Sequence, residues 1–328
     1  MRAALCERPG SGRLVLRERP SPPLARGQLR LRVLACGVCR TDLHLVDGEL
    51  PFARPPVVPG HEVIGTVAEI GEGAAGFFPG QRVGVTWLGG ACGACAFCAE
   101  GRENLCPDAR FTGCTLDGGF AEECVAEAAF CLPLPEGLDG IDSAPLLCAG
   151  LIGHRAYRMA GAGSRIGLYG FGAAAHLLAQ VAIADGKEVH AFTRAGDVAA
   201  QDLARSLGCA SAGDSASPSP EPLDAAILFA PVGDLIPIAL SSVRPAGRVI
   251  CAGIHMSDVP SFPYRLLWGE RALCSVANLT REDGRSFLEH AARIRPKAAV
   301  TRYPLAEAER ALSDLREGRL VGAAVIVP

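Results

Sequence analysis

Four cysteines within one short stretch, Cys92-Gly-Ala-Cys95-Ala-Phe-Cys98 followed by Cys106, constrain this chain more than any other feature. They lie in a short Gly-rich lobe, about 88–110. Four thiolates at this spacing close a tetrahedral shell around Zn²⁺. In isolated peptides such a shell supplies on the order of 10 kcal/mol of folding energy. A four-Cys iron–sulfur centre shares the spacing and stands as the alternative. Disulfides are disfavoured, because the opening Met1-Arg2-Ala3-Ala4-Leu5-Cys6 is not followed by the apolar stretch of a secretory leader. A chain with 14 cysteines and no leader is expected in the reducing cytoplasm, holding metal. A filled four-sulfur shell has no open position, so this centre is structural and the chemistry lies elsewhere.

The chain is 328 residues long, enough for two domains, and 49% of it is apolar, which excludes general disorder. Its 32 basic and 35 acidic residues leave a net charge of −3, and the arginines are dispersed. No field recruits nucleic acid or an anionic membrane. No apolar run approaches the ~20 residues of a membrane span. The first part reads as short strands, Gln28–Val33, Val63–Ile70, Arg82–Val85 and Ala121–Ala126, separated by turns. From about residue 152 strand and helix alternate: Arg165–Tyr169, Ala173–Ala184, Glu188–Phe192, Val198–Leu207, Ala225–Phe229, Arg248–Ala252. That rhythm predicts a doubly wound parallel sheet. The polar segment Ser215–Pro222 reads as a surface loop. Helices over Glu282–Ala292 and Leu305–Arg316 precede a last strand, Ala323–Val327, which is expected to return to the first domain.

Three separated segments point to a second metal site: Gly37-Val-Cys39-Arg40-Thr41-Asp42-Leu-His44, Pro59-Gly60-His61-Glu62, and Leu146-Leu-Cys148-Ala-Gly150. Taken singly, Cys39, His61 and Cys148 are ordinary buried residues. Together, two thiolates and an imidazole leave a fourth position open for water or substrate, the pattern of catalytic zinc. Zinc so held polarises an alcohol or carbonyl oxygen. Glu62 is either a fourth ligand or a carboxylate behind the ligands. Asp42 either accepts the free ring N–H of His61 or caps a helix.

These motifs, in this order, resemble those of the zinc-dependent medium-chain alcohol dehydrogenases over essentially the whole chain. The resemblance implies a GroES-like, β-rich catalytic domain over 1–151 and 274–328 and a Rossmann domain over 152–273, with the active site in the cleft at their junction. It implies two Zn²⁺ per chain, one on Cys39, His61, Cys148 and Glu62 and one on Cys92, Cys95, Cys98 and Cys106. It assigns Thr41 and His44 to a proton relay and Arg40 to the cofactor pyrophosphate. Ile254 and Val276 are placed beside the nicotinamide. Trp87 matches a family aromatic in the substrate pocket, and Leu50 replaces a bulkier one, which implies primary alcohols or aldehydes longer than ethanol. A homodimer or homotetramer is implied as well.

The nicotinamide dinucleotide has its own signal. In Tyr169-Gly170-Phe171-Gly172-Ala173-Ala174-Ala175 the first two glycines of the fingerprint are present and Ala175 fills the third, at a strand-to-helix junction that seats a pyrophosphate. Where an acidic residue would hold the ribose of NAD, this chain has Thr193 followed by Arg194. That favours NADP over NAD. The expected activity is hydride transfer between NAD(P) and an alcohol/aldehyde pair. The alternatives are a cinnamyl- or polyol-type reductase, or a zinc- and dinucleotide-binding sensor without turnover.

Overall fold

The computed structural model describes residues 1–320 and 322–328. It separates into two compact units, Met1–Cys148 with Asn278–Pro328, and Ala149–Ala277.

The first unit is built on a seven-stranded sheet whose organiser is the long strand Gln28–Val38. Leu29, Leu31 and Val33 alternate inward to the core, while Arg30 turns outward to Glu69 at 3.0 Å. One edge of this strand pairs along its length with Glu62–Ile70. The other edge is shared: its first half pairs with Glu123–Glu127 and its last residues with Ala323–Val327. The final strand therefore does return to this unit, lying between Val300–Pro304 and Gln28–Val38. The register sets Gly37 opposite Glu62. Residues 39 and 61–62, far apart in sequence, thus meet at adjacent strand ends. The 3₁₀ segment Ile141–Leu147 packs Ala144 and Leu147 on Ala35, Ile64 and Val325, which delivers Cys148 to the same ends.

The second unit is a six-stranded parallel sheet in the spatial order Ser211–Asp214, Glu188–Thr193, Arg165–Tyr169, Leu223–Leu228, Val243–Cys251, Ala272–Ser275. This is the dinucleotide-binding order 3-2-1-4-5-6, with its topological switch between Arg165–Tyr169 and Leu223–Leu228. Tyr169 and Phe192 stack at 4.3 Å between neighbouring strands. The helix Ala173–Ala184 buries Ala175, Leu178, Ala179 and Ala182 in the same core as Ile166, Leu168 and Val189 of the sheet. The segment Ser215–Pro222 runs between two strands outside regular structure.

Some elements differ from the sequence reading. Leu305–Arg316 opens as a 3₁₀ turn, Leu305–Glu307, before the α-helix Ala308–Arg316. Strands Ser211–Asp214, Ala272–Ser275 and Val300–Pro304 and helices Ala149–Ala160 and Leu235–Ser242 carried no clear signal. No helix among the described residues is long and apolar enough to cross a membrane.

Candidate active site and metal centres

Cys39 caps the helix Arg40–Val46, its sulfur accepting from Thr41 N at 3.3 Å. The buried Asp42 carboxylate accepts from Cys39 N at 2.9 Å and from Gly60 N at 3.1 Å, clipping the residue before His61 to this helix. Gly60 has φ +96°, and a side chain there would strike Phe120 and Cys36 at 2.5–2.6 Å, so only glycine lets the turn into His61 form. Cys39 Sγ lies 3.1 Å from His61 Nε2. One ligand atom from each of Cys39, His61, Glu62 and Cys148 falls within 4.8 Å of all the others.

The electrostatics of this cluster ask for a cation. The contact with Cys148 pulls the Cys39 thiol well below its ordinary value; burial opposes the shift and His61 adds to it. Burial, helped by the Cys39 charge, pushes Glu62 up. Burial disfavours charge on the Glu62 and Asp42 carboxyls beside the Cys39 thiolate, and a cation among the donor atoms would let the ionised forms persist out of water. Zinc bonds of 2.0–2.3 Å put tetrahedral neighbours roughly 3.5 Å apart, which suits these spacings. The donor set fits Zn²⁺.

The four-Cys lobe fits it too, with all four sulfurs within 4.8 Å of one another. Amides of Ala94 and Cys95 donate to Cys92 Sγ at 3.5 and 3.4 Å and bring its thiol down to about 7. Burial raises Cys98 to about 12. The lobe is tied to its unit by Glu103, whose carboxylate accepts from Arg281 N at 3.0 Å and Arg281 Nε at 2.9 Å. The Arg281 guanidinium lies 4.7 Å over the Phe130 ring.

Around the first centre, Thr41 is half-buried on the first helical turn, His44 follows one turn later with its ring bonded to Glu49, and Arg40 is exposed. Asp42 Oδ1 stands 3.4 Å from His61 Nδ1, an ion-pair distance without hydrogen-bond alignment. Asp42 thus completes the capping box begun by Cys39 and also faces His61 as a counter-charge. Trp87 sets its ring edge-on to His61 at 5.0 Å and stacks on Phe111 at 5.1 Å. Leu50 is half-buried against the same core. Phe111 and Glu103 escaped the sequence reading; their signal was closeness in sequence to Cys106.

In the second unit, Gly170 ends its strand with φ +87°, and a Cβ there would stand 2.8 Å from Ala230 N. Gly172 begins the helix with no side-chain cap, and its missing Cβ faces open space, a cradle suited to a dinucleotide pyrophosphate. Phe171 and Ala175 are buried, while Ala173 and Ala174 are half-buried. Thr193 is buried, its hydroxyl donating within reach of Arg194 O and Gly213 O and accepting from Gln201 Nε2. Arg194 is 89% exposed. Ile254 is exposed and Val276 buried.

The alcohol dehydrogenase GroES-like domain family matches residues 25–136. The probable alcohol dehydrogenase AdhA of Mycobacterium tuberculosis (strain CDC 1551 / Oshkosh) is 49% identical over 317 residues, covering 94% of this chain and 90% of that protein. An alcohol dehydrogenase of Geobacillus stearothermophilus is 33% identical across 95% of both. The chain belongs to the zinc-containing medium-chain alcohol dehydrogenase family. The solved thermostable alcohol dehydrogenase of Pyrobaculum aerophilum superposes with a TM-score of 0.89 at 26% identity, covering 100% of this chain and 99% of that one. The β-rich first unit is the family's GroES-like domain and the six-stranded parallel sheet its Rossmann domain.

Proposed function

We propose that this chain catalyses reversible hydride transfer between NADP and a primary alcohol or aldehyde longer than ethanol. The observation that carries the reading is the convergence of Cys39, His61, Glu62 and Cys148 on one buried point beside Thr41. Zinc bound there supplies Lewis-acid polarisation of the substrate oxygen, and the nicotinamide supplies the hydride-accepting carbon.

The chain's own residues do the rest. The Thr41 hydroxyl accepts the alcohol proton while donating its own onward to the cofactor ribose, as only a hydroxyl can. His44, one turn along the same helix face, takes the proton toward solvent. An Nδ1–H donated to Glu49 leaves its Nε2 as the acceptor. Trp87 and Leu50 wall an apolar pocket. Arg40 and the amides after Gly172 hold the pyrophosphate, and Ile254 and Val276 flank the nicotinamide. Arg194 pairs with the 2′-phosphate, with no carboxylate at 193 to repel it. We assign the catalytic role to the first unit and dinucleotide binding to the second. The chain assembles as a homodimer or homotetramer, a reading supported by the one-sided pairing of the strand Ala272–Ser275 beside the exposed Tyr264 and Trp268.

The test is absorbance at 340 nm with NADP or NAD and a series of primary alcohols. Turnover that Cys39→Ser and His61→Ala each abolish is expected. A wild-type protein inert with both cofactors, alcohols and aldehydes defeats the reading.

A further inference from the structure

A metal-bound imidazole needs its ring plane fixed, and a hydrogen bond at the second nitrogen is the usual means. Here that bond is weakly provided. Both Asp42 oxygens serve backbone amides, of Cys39 and Gly60, and the nearer one stands 3.4 Å from His61 Nδ1 without alignment. His61 is nevertheless fully buried, so something solid must set its orientation. The Trp87 ring meets it at 5.0 Å and 75°, the favoured edge-to-face arrangement. Trp87 is backed in turn by Phe111, nearly parallel at 5.1 Å and 19°. Phe52 closes the outer end of the column, 5.4 Å from Phe111 and 44% exposed.

The backbone fixes this column. Leu88–Gly90 pairs with Arg110–Phe111 with Leu88 opposite Phe111. Thr112 N donates to Trp87 O at 2.9 Å, and Phe111 N donates to Thr115 Oγ1 at 2.7 Å. A side chain at Gly89 would meet Thr112 Oγ1 at 2.7 Å, so the close hairpin depends on that glycine. Phe111 thus lies flat against the Trp87 ring.

We propose that Phe111 is a positioning residue for the metal ligand His61, acting through Trp87. The proposal rests on the reading that zinc occupies the site of Cys39, His61, Glu62 and Cys148. A loosened ligand ring dissociates from its metal more readily, so Phe111 governs how long that zinc is retained. Among the described residues no ring pair of this kind flanks a ligand of the four-Cys site, which provides an internal control.

The experiment follows zinc release from the holoenzyme into a colorimetric chelator, with Cys39→Ser identifying which kinetic phase belongs to which site. Phe111→Leu keeps apolar bulk and removes the ring; Phe111→Tyr keeps the ring. Leu is expected to speed release from the His61 site on the order of tenfold, the usual cost of losing a group that supports a ligand. Tyr is expected to restore the wild-type rate, and the four-Cys phase to stay put in both. Cobalt substituted at the site should show a shifted d–d band in the Leu variant and an unshifted one in Tyr. If Phe111→Leu fails to fold, Phe52→Leu, at the exposed end, should accelerate the same phase by less. Wild-type release rates in the Leu variants, equal acceleration in Leu and Tyr, or acceleration of both zinc phases together overturn the proposal. A wild-type protein with zinc in the four-Cys lobe alone overturns the dehydrogenase reading beneath it.

Discussion

The Glu62 carboxylate lies where a side chain on Gly37 would stand: a Cβ there would be 2.7 Å from the Glu62 carboxyl carbon and 2.9 Å from its Cβ. The two residues face each other across the pairing of Gln28–Val38 with Glu62–Ile70. The absence of atoms at 37 therefore lets a buried carboxylate reach the metal cluster. Gly37→Ala should displace it. Overpacking a closed core costs about 1–3 kcal/mol, and displacing a carboxylate from a metal centre costs on the order of tenfold or more in activity. Urea melts and steady-state kinetics check both effects. Wild-type behaviour in both measurements would show that Glu62 has room to spare.

The two metal centres should separate cleanly under mutation. Cys106→Ser is expected to lower zinc from two to one per chain and to lower the melting temperature, because the lobe loses the ion that folds it. Cys39→Ser is expected to lower zinc by the same amount, abolish turnover and leave the melting temperature near wild type. Elemental analysis beside calorimetry decides. One zinc in the wild-type protein, or a collapsed fold in Cys39→Ser, contradicts the division of labour.

Glu103 joins the four-Cys lobe to the start of the helix Arg281–Ile294. Burial alone would raise its carboxyl, but the Arg281 amide and guanidinium bonds outweigh burial and hold it below the ordinary value. A lowered value means that the ionised form is the one the fold favours. Its stabilisation is complete above the ordinary carboxylate range near about pH 4.3 and is lost as pH falls through the lower folded-state value. Glu103→Gln should cost about 1.5–3 kcal/mol at pH 7, the range for hydrogen bonds to charged groups. The gap to wild type should narrow in melts below about pH 4. A gap that stays constant with pH would mean the contact acts by packing alone.

The metal ligands were legible in the sequence because coordination chemistry dictates residue type and local spacing. The neighbours that hold them were not. Phe111 reaches Trp87 through a hairpin register, and Glu103 reaches Arg281 across 178 residues. No periodicity encodes either meeting. Short strands were missed for a related reason. Ser211–Asp214 contains Gly213 and Asp214, poor strand formers, and is a strand only because Glu188–Thr193 lies beside it. Leu235–Ser242 carries Pro237, which reads as a breaker yet sits in the first turn, where a helix has no use for its amide hydrogen.

Cofactor choice turns on the end of the strand Glu188–Thr193. Read from sequence, Thr193 takes the acidic position that grips the ribose of NAD. The fold buries its hydroxyl, which spends its one hydrogen on Arg194 O or Gly213 O and accepts from Gln201 Nε2, so a single buried lone pair with no charge is left where a carboxylate would grip a ribose. The nearest carboxylate across the sheet, Asp214 opposite Thr193, is engaged by Ala216 N at 2.9 Å. In the proposed NADP reading, discrimination falls to Arg194, whose guanidinium is exposed and holds Asp197 only loosely at 3.7 Å. An exposed loose pair releases its Arg at little cost, and a guanidinium on a phosphate gains about 1–2 kcal/mol, roughly tenfold. Wild-type kcat/KM should therefore be higher with NADP than with NAD. Arg194→Leu should lower the NADP value about tenfold and move the NAD value by less than about twofold. A tenfold wild-type preference for NAD, or an Arg194→Leu variant that loses both cofactors equally, would show that this guanidinium does not read the 2′-phosphate.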